Sequence, residues 1–160
     1  MTIDYATFAD VYRQAKSPQN KSNADAQVII DALPYASFLG MKAQQVDGDW
    51  QFILPPQKHN VGNPTLPALH GGAIAGFMEM SAVIYLMMNM DVEEIAGHEP
   101  RVPKVVDFSI DYIRACRLET THAACEILRR GRRLTNIAVR IWQQNPDVFC
   151  AAARVHYLVD

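Results

Sequence analysis

The chain has 160 residues, enough for one domain with one sizeable core. Hydrophobic residues make up 49%, charged residues 20%, and the net charge is −2, which excludes a disordered tail and a strongly basic nucleic-acid binder. Cys116, Cys125 and Cys150 are odd in number and lack metal-type pairing, so they read as small buried residues of a reducing compartment.

The start, Met1-Thr2-Ile3-Asp4-Tyr5, has no basic segment followed by an apolar one, so no signal peptide is expected and the expected compartment is the cytoplasm. Tyr5, Phe8, Ala9, Val11 and Tyr12 stand at helical spacing and predict a helix from Tyr5 to Ala15, with Thr2 as its candidate cap. A polar stretch, Ser17 to Asn23, breaks that pattern. A second short helix is expected from Ala24 to Ala32, stopping before Pro34. Residues 1–32 then form a helical extension packed on the body, because a unit of ~30 residues could hardly hold its own core.

Two strands, Met41 to Val46 and Trp50 to Leu54, flank Asp47-Gly48-Asp49, where Asp-Gly signals a tight turn. A long loop, Pro55 to Leu69, follows without predicted regular structure, and loops of that length are more often functional than idle. Beyond the central helix, Val106, Phe108, Ile110 and Tyr112 alternate with Asp107, Ser109 and Asp111, the period of a half-buried strand. Strands at Thr121–Arg129 and Leu134–Gln143 meet across Arg130-Gly131-Arg132, and a last strand runs from Val148 to Leu158. The order β-β-α-β-β-β-β predicts an α+β fold.

Between His70 and Asp91 lie twenty residues with one charge, Glu79. A membrane span is disfavoured by that mid-segment Glu, by flanks without Lys or Arg clusters, and by the sheet-like remainder. The helix reads instead as the core element of the fold, wrapped by the sheet. Glu79 has two readings. An apolar setting disfavours the charged form and raises a carboxylate's pKa towards the range useful for acid-base work. The bland alternative is an edge Glu that caps an amide or pairs with an Arg such as Arg114.

His70-Gly71-Gly72 marks the helix start, where glycines permit close approach and first-turn N–H groups can bind an anion or a developing oxyanion. The preceding loop adds His59, Asn60 and Asn63 as polar neighbours. Gly71 and Glu79 are eight residues apart, or roughly 12 Å along one helix. No reacting carbonyl can touch both. If they serve one reaction, the donor and the acid come from different subunits of a two-fold dimer.

His70-Gly71-Gly72 with an acid nine positions after the His resembles the motif of hotdog-fold thioesterases of the phenylacetate-pathway type, within the 4-hydroxybenzoyl-CoA thioesterase superfamily. Ser109-Ile110-Asp111-Tyr112-Ile113-Arg114 is similar to that family's strand after the helix. Arg129-Arg130-Gly131-Arg132-Arg133 resembles its basic hairpin, and Ala151 to Tyr157 its final strand. The resemblance covers Leu33 to Val159, making residues 33–160 the hotdog domain, a long helix wrapped by a curved antiparallel sheet.

The resemblance implies homodimers, often tetramers, that hydrolyse acyl-CoA thioesters. Carried over by position, the Gly71 N–H is the oxyanion donor, Glu79 of the partner is the acid, and His70 supports the helix start. The family's loop Asn falls on Asn60 in preference to Asn63. The acid is Glu where the nearest subgroup has Asp. Gly72 and the arginines Arg129, Arg130, Arg132 and Arg133 are expected at the CoA end, since Arg forks suit phosphate oxygens, although a solvated turn is the plain alternative. CoA is part of the substrate, so no separate cofactor is expected. Thiolate departure is easy, and no metal-type ligand spacing is present. Met78, Met80, Met87, Met88 and Met90 read mostly as core filler. Two competing readings stand on the same fold, a non-catalytic acyl-CoA sensor and a hydratase or dehydratase pairing His70 with Glu79.

Overall fold

Pro34 ends one helix and begins another. In the computed structural model, which describes residues 5–15, 24–90 and 102–159, helices α1 (Tyr5–Ala15) and α2 (Ala24–Ala32) have the expected bounds. Thr2 and Ser17 to Asn23 lie outside the described residues. The expected stop before Pro34 is followed at once by a further short helix, α3 (Pro34–Phe38), with Leu33 extended as its cap and Pro34 at its first position. Proline suits that position because its missing N–H has no helical partner there. Tyr12, Ala15, Ile29 and Ile30 are buried in the same core cluster as the central helix. The Tyr12 hydroxyl donates to the Met87 carbonyl at 2.6 Å.

Strands β1 (Lys42–Val46) and β2 (Asp49–Leu54) pair with Val46 opposite Asp49. Asp47 and Gly48 fill the two-residue turn with φ of 53° and 85°, both left-handed as this hairpin requires. The segment Pro55 to Leu69, expected to be irregular, carries a 3₁₀ turn (Lys58–Asn60) and a small antiparallel ribbon, β3 (Val61–Asn63) with β4 (Ala68–Leu69). The ribbon exists because Asn63 Oδ1 accepts the N–H groups of Thr65 and Leu66 at 3.0 and 3.2 Å, closing a tight turn.

Helix α4 (Gly71–Asn89) follows, then β5 (Lys104–Tyr112), β6 (Thr121–Arg130), β7 (Leu134–Trp142) and β8 (Phe149–Leu158). One antiparallel sheet has the order β1-β2-β6-β7-β8-β5. Strict alternation aims one face inward: Thr135, Ile137, Val139 and Ile141 on β7, and Ala151, Ala153, Val155 and Tyr157 on β8 are buried. Helix α4 packs against β2, β5, β6, β7 and β8. This is the α+β hotdog arrangement, a helix held in a sheet. Phe77, Met78, Ile84 and Leu86 are fully buried at that contact, each worth about 1.5–3 kcal/mol. Helix α4 is long and apolar enough to cross a membrane by length and composition, but ten of its residues are buried in this core.

Strand β5 departs from its expected alternation. A bulge between Val105 and Asp107 lets Val105, Phe108 and Ile110 pack on the core while Val106 and Tyr112 stay exposed. The extra residue shifts which side chains face inward. All three cysteines are buried and free.

Candidate active site at the start of the central helix

His70 sets the geometry of the helix tip. As N-cap of α4 it is extended, with φ −65° and ψ 135°, and its Nδ1 accepts the Gly72 N–H at 2.9 Å. That bond needs an unprotonated Nδ1, so the proton of a neutral ring lies on Nε2. The Gly71 carbonyl accepts the Tyr112 hydroxyl at 2.8 Å. The peptide between Gly71 and Gly72 is thus held at both ends. The His70 N–H donates to the Asn60 carbonyl at 2.7 Å, and the His70 carbonyl accepts from Ile74 at 3.0 Å. The Gly71 N–H takes no partner among the described residues. A fixed tip whose Gly71 and Ala73 N–H groups take no partner among the described residues suits a developing negative charge.

The loop is pressed close to this tip. A Cβ at Gly62 would stand 2.7 Å from the His70 Cα, so only glycine fits there. Asn60 is 2% exposed, and its Nδ2 is buried without a partner among the described residues. An unmade bond at such a group costs about 1–3 kcal/mol. Asn63 differs. It is exposed, and its side-chain oxygen is committed to the β3–β4 turn.

Glu79 lies two turns along α4 on a stripe with Gly72 and Gly76, at helical spacings of four and three. It is half-buried, and burial pushes its carboxyl above the usual carboxylate range. Among the described residues the carboxylate makes no ion pair and accepts no hydrogen bond. The alternative partner, Arg114, is exposed and does not pair with it. The buried Tyr157 hydroxyl donates to the Glu79 backbone carbonyl at 2.7 Å. Burial, and then the Glu79 charge, hold the Tyr157 phenol well above its ordinary range.

Because α4 is continuous, Gly71 and Glu79 of one chain remain about 12 Å apart along its axis. The structure brings His70, Gly71, Gly72 and Asn60 together and sets Glu79 apart from them. It places the exposed arginines Arg129, Arg130, Arg132 and Arg133 at the other end of α4, where Arg130 Nη1 donates to the Asn89 carbonyl at 3.2 Å. That carbonyl is about 15 Å along the axis from Glu79. Sequence reasoning overlooked Tyr112 and Tyr157 as parts of the site. Tyr157 could be found as the last inward position of β8. Tyr112 sits beside the helix tip only because of the pairing of β5.

Residues 66–150 match the family described as the thioesterase superfamily. The medium/long-chain acyl-CoA thioesterase YigI of Escherichia coli K12 is 23% identical over 141 residues, covering 83% of this chain and 90% of the relative. A crystal structure from Chromobacterium violaceum is 34% identical, covers 97% of both chains, and superposes with a TM-score of 0.68. The PaaI protein of the Escherichia coli phenylacetic acid degradation operon is 18% identical, covers 86% of this chain and 95% of its own, and has a TM-score of 0.64. The matched span runs from the ribbon through the helix tip, Glu79 and the sheet, more than half of the chain. On that match the chain belongs to the thioesterase superfamily.

Proposed function

We propose that the chain hydrolyses acyl-CoA thioesters as a two-fold dimer, in which Glu79 of one subunit acts on a carbonyl held by the Gly71 N–H of the other. One observation carries this reading. The Gly71 N–H, at a tip held by His70 and Tyr112, takes no partner among the described residues, while the helix's one acid stands unpaired about 12 Å away. The two groups are complementary but cannot meet within one chain. The acyl-CoA class follows from YigI, whose name describes medium/long-chain acyl-CoA as its substrate.

Strand β5 supports the pairing. Among the described residues it ends the sheet, with β8 as its one sheet neighbour, so its other edge of nine residues is unpaired there. In the reaction, water adds to the thioester carbon while Glu79 takes its proton, or Glu79 itself adds to form a mixed anhydride that water then opens. Either way negative charge gathers on the carbonyl oxygen beside the Gly71 N–H, and the C–S bond breaks to release CoA thiolate. Label in Glu79 after one turnover in ¹⁸O-water would identify the anhydride route with water attacking the Glu79 carboxyl carbon. Asn60 and His70 position the tip. The hairpin arginines lie where the phosphates of an extended CoA could reach them.

The test mixes two inactive variants. Glu79→Gln keeps a good amide and Gly71→Pro keeps a good acid, so each mixed dimer regains one complete site. Refolding an equal mixture should restore about a quarter of wild-type thiol release from acyl-CoA. A mixture as inactive as its components would remove the shared site. Wild type that binds acyl-CoA without releasing thiol would instead be a sensor.

A further inference from the structure

Three aromatic rings run beside the uncovered stripe of α4. Tyr35 and Phe38, both on α3, stack with centroids 6.3 Å apart, and Phe38 lies 5.0 Å from the His59 ring. Large aromatic side chains are normally covered, yet Tyr35 is 44% exposed and Phe38 62%. The row is tied to the site at both ends. A Cβ on Gly76 would stand 2.5 Å from the Tyr35 ring, so Tyr35 lies directly on the helix at Gly76, about one turn before Glu79. His59 precedes Asn60, whose carbonyl holds the His70 N–H.

We propose that Tyr35 and Phe38 form the platform on which the acyl chain of the substrate lies, and that they select for extended apolar chains. This rests on the reading of Glu79 as the acid, and goes beyond it by assigning what sets chain length. A thioester carbonyl beside Glu79 has its first methylenes over Tyr35 and later ones over Phe38. Short acyl groups end before Phe38 and gain nothing from it. Glycine at position 76 has a part in this, since any side chain there would push Tyr35 off the helix. Helix α3 thus supplies the specificity, while the central helix supplies the chemistry.

A platform open on one side covers half of each methylene, so kcat/KM should rise roughly twofold per added carbon from butyryl-CoA to decanoyl-CoA. In Phe38→Ala the ratio of kcat/KM for decanoyl-CoA to that for butyryl-CoA should fall about tenfold. Tyr35→Ala should lower the same ratio. Parallel loss on both substrates, or an unchanged ratio, would overturn the proposal, as would a wild-type rate that does not rise with chain length. Phe38→Ala appearing as a monomer in light scattering would also overturn it, because the rings would then be a subunit contact. The ratio is read a second time as binding affinity in the Glu79→Gln background. A failure of Glu79 as the acid therefore appears as turnover in Glu79→Gln, while the platform is judged separately by affinity.

Discussion

The two ends of helix α4 are treated in opposite ways. At the C-terminal end side chains donate to three carbonyls: Tyr12 to Met87, Asn89 Nδ2 to Tyr85 at 2.8 Å, and Arg130 to Asn89. There Tyr85 is buried and its phenol is pushed up to about 12, chiefly by burial and then by Asp49. At the N-terminal end the same kind of bonding is left unfinished. His70 and Tyr112 hold the tip, and among the described residues the Gly71 and Ala73 N–H groups are left over. Every helix has orphan groups at both termini. A fold that only sought stability would cover both, and the uncovered end is the one at which we propose that the substrate carbonyl is held.

The largest effect should come from removing the acid. Glu79→Gln should lower kcat for acyl-CoA by about 10³-fold or more, read by thiol release. It should also remove the acid limb of the pH profile. In wild type the ionised carboxylate is the active form, so kcat/KM should fall as pH drops through a midpoint above the usual carboxylate range. Stability should move the other way. Burial raises the folded-state value above the unfolded one, so between the two the folded chain holds more protons and loses stability as pH rises. Glu79→Gln escapes that penalty. Its melting temperature should exceed that of wild type at neutral pH and converge with it in acid, and a lower neutral value would show that the carboxylate is structurally paired.

Gly71→Pro acts on the other partner. Proline belongs at a first helical position, and His70 at ψ 135° already has the extended conformation that a following proline requires. The tip should therefore survive while the Gly71 N–H disappears. Losing one oxyanion donor costs about 10²–10³ in kcat. Wild-type kcat in a folded Gly71→Pro would sink the amide's role.

Much of this contrast was legible before any coordinates. The lone acid in an apolar helix, the His-Gly-Gly start and the Asp-Gly hairpin are local signals, and each sits where its own chemistry puts it. Asn60 was separable from Asn63 only in three dimensions, because burial and a committed side-chain oxygen distinguish them. The aromatic row was unreadable because α3 was missed, hidden behind a proline taken as a stop when it was also a start. The bulge in β5 was equally silent, since one extra residue in a ladder leaves the apolar count unchanged.

A milder change loosens the tip without removing anything from it. Tyr112→Phe deletes the hydroxyl that holds the Gly71 carbonyl while keeping the ring. The residue is half-exposed, so stability should fall by no more than about 0.5–1.5 kcal/mol. The rate should drop severalfold in kcat with KM little changed, because the bond orients the amide and does not bind substrate. Equal loss in kcat and stability-corrected concentration of active enzyme would mean Tyr112 is structural only.

The smallest effect on rate should come from the opposite end, and it completes the comparison. Tyr12→Phe removes a buried hydrogen bond to the Met87 carbonyl, which keeps the Met90 N–H as its donor at 3.3 Å. Urea unfolding should show a loss of about 0.5–1.5 kcal/mol with an unchanged slope. Met87 lies eight residues beyond Glu79, about 12 Å along a helix whose middle is packed on all but one side. A rigid, buried helix does not pass the loss of one terminal bond to a carboxylate two turns away, so kcat should stay at the wild-type value. If Tyr12→Phe slowed turnover as Tyr112→Phe does, the two ends would be coupled, and the division between a sealed end and a working end would fail.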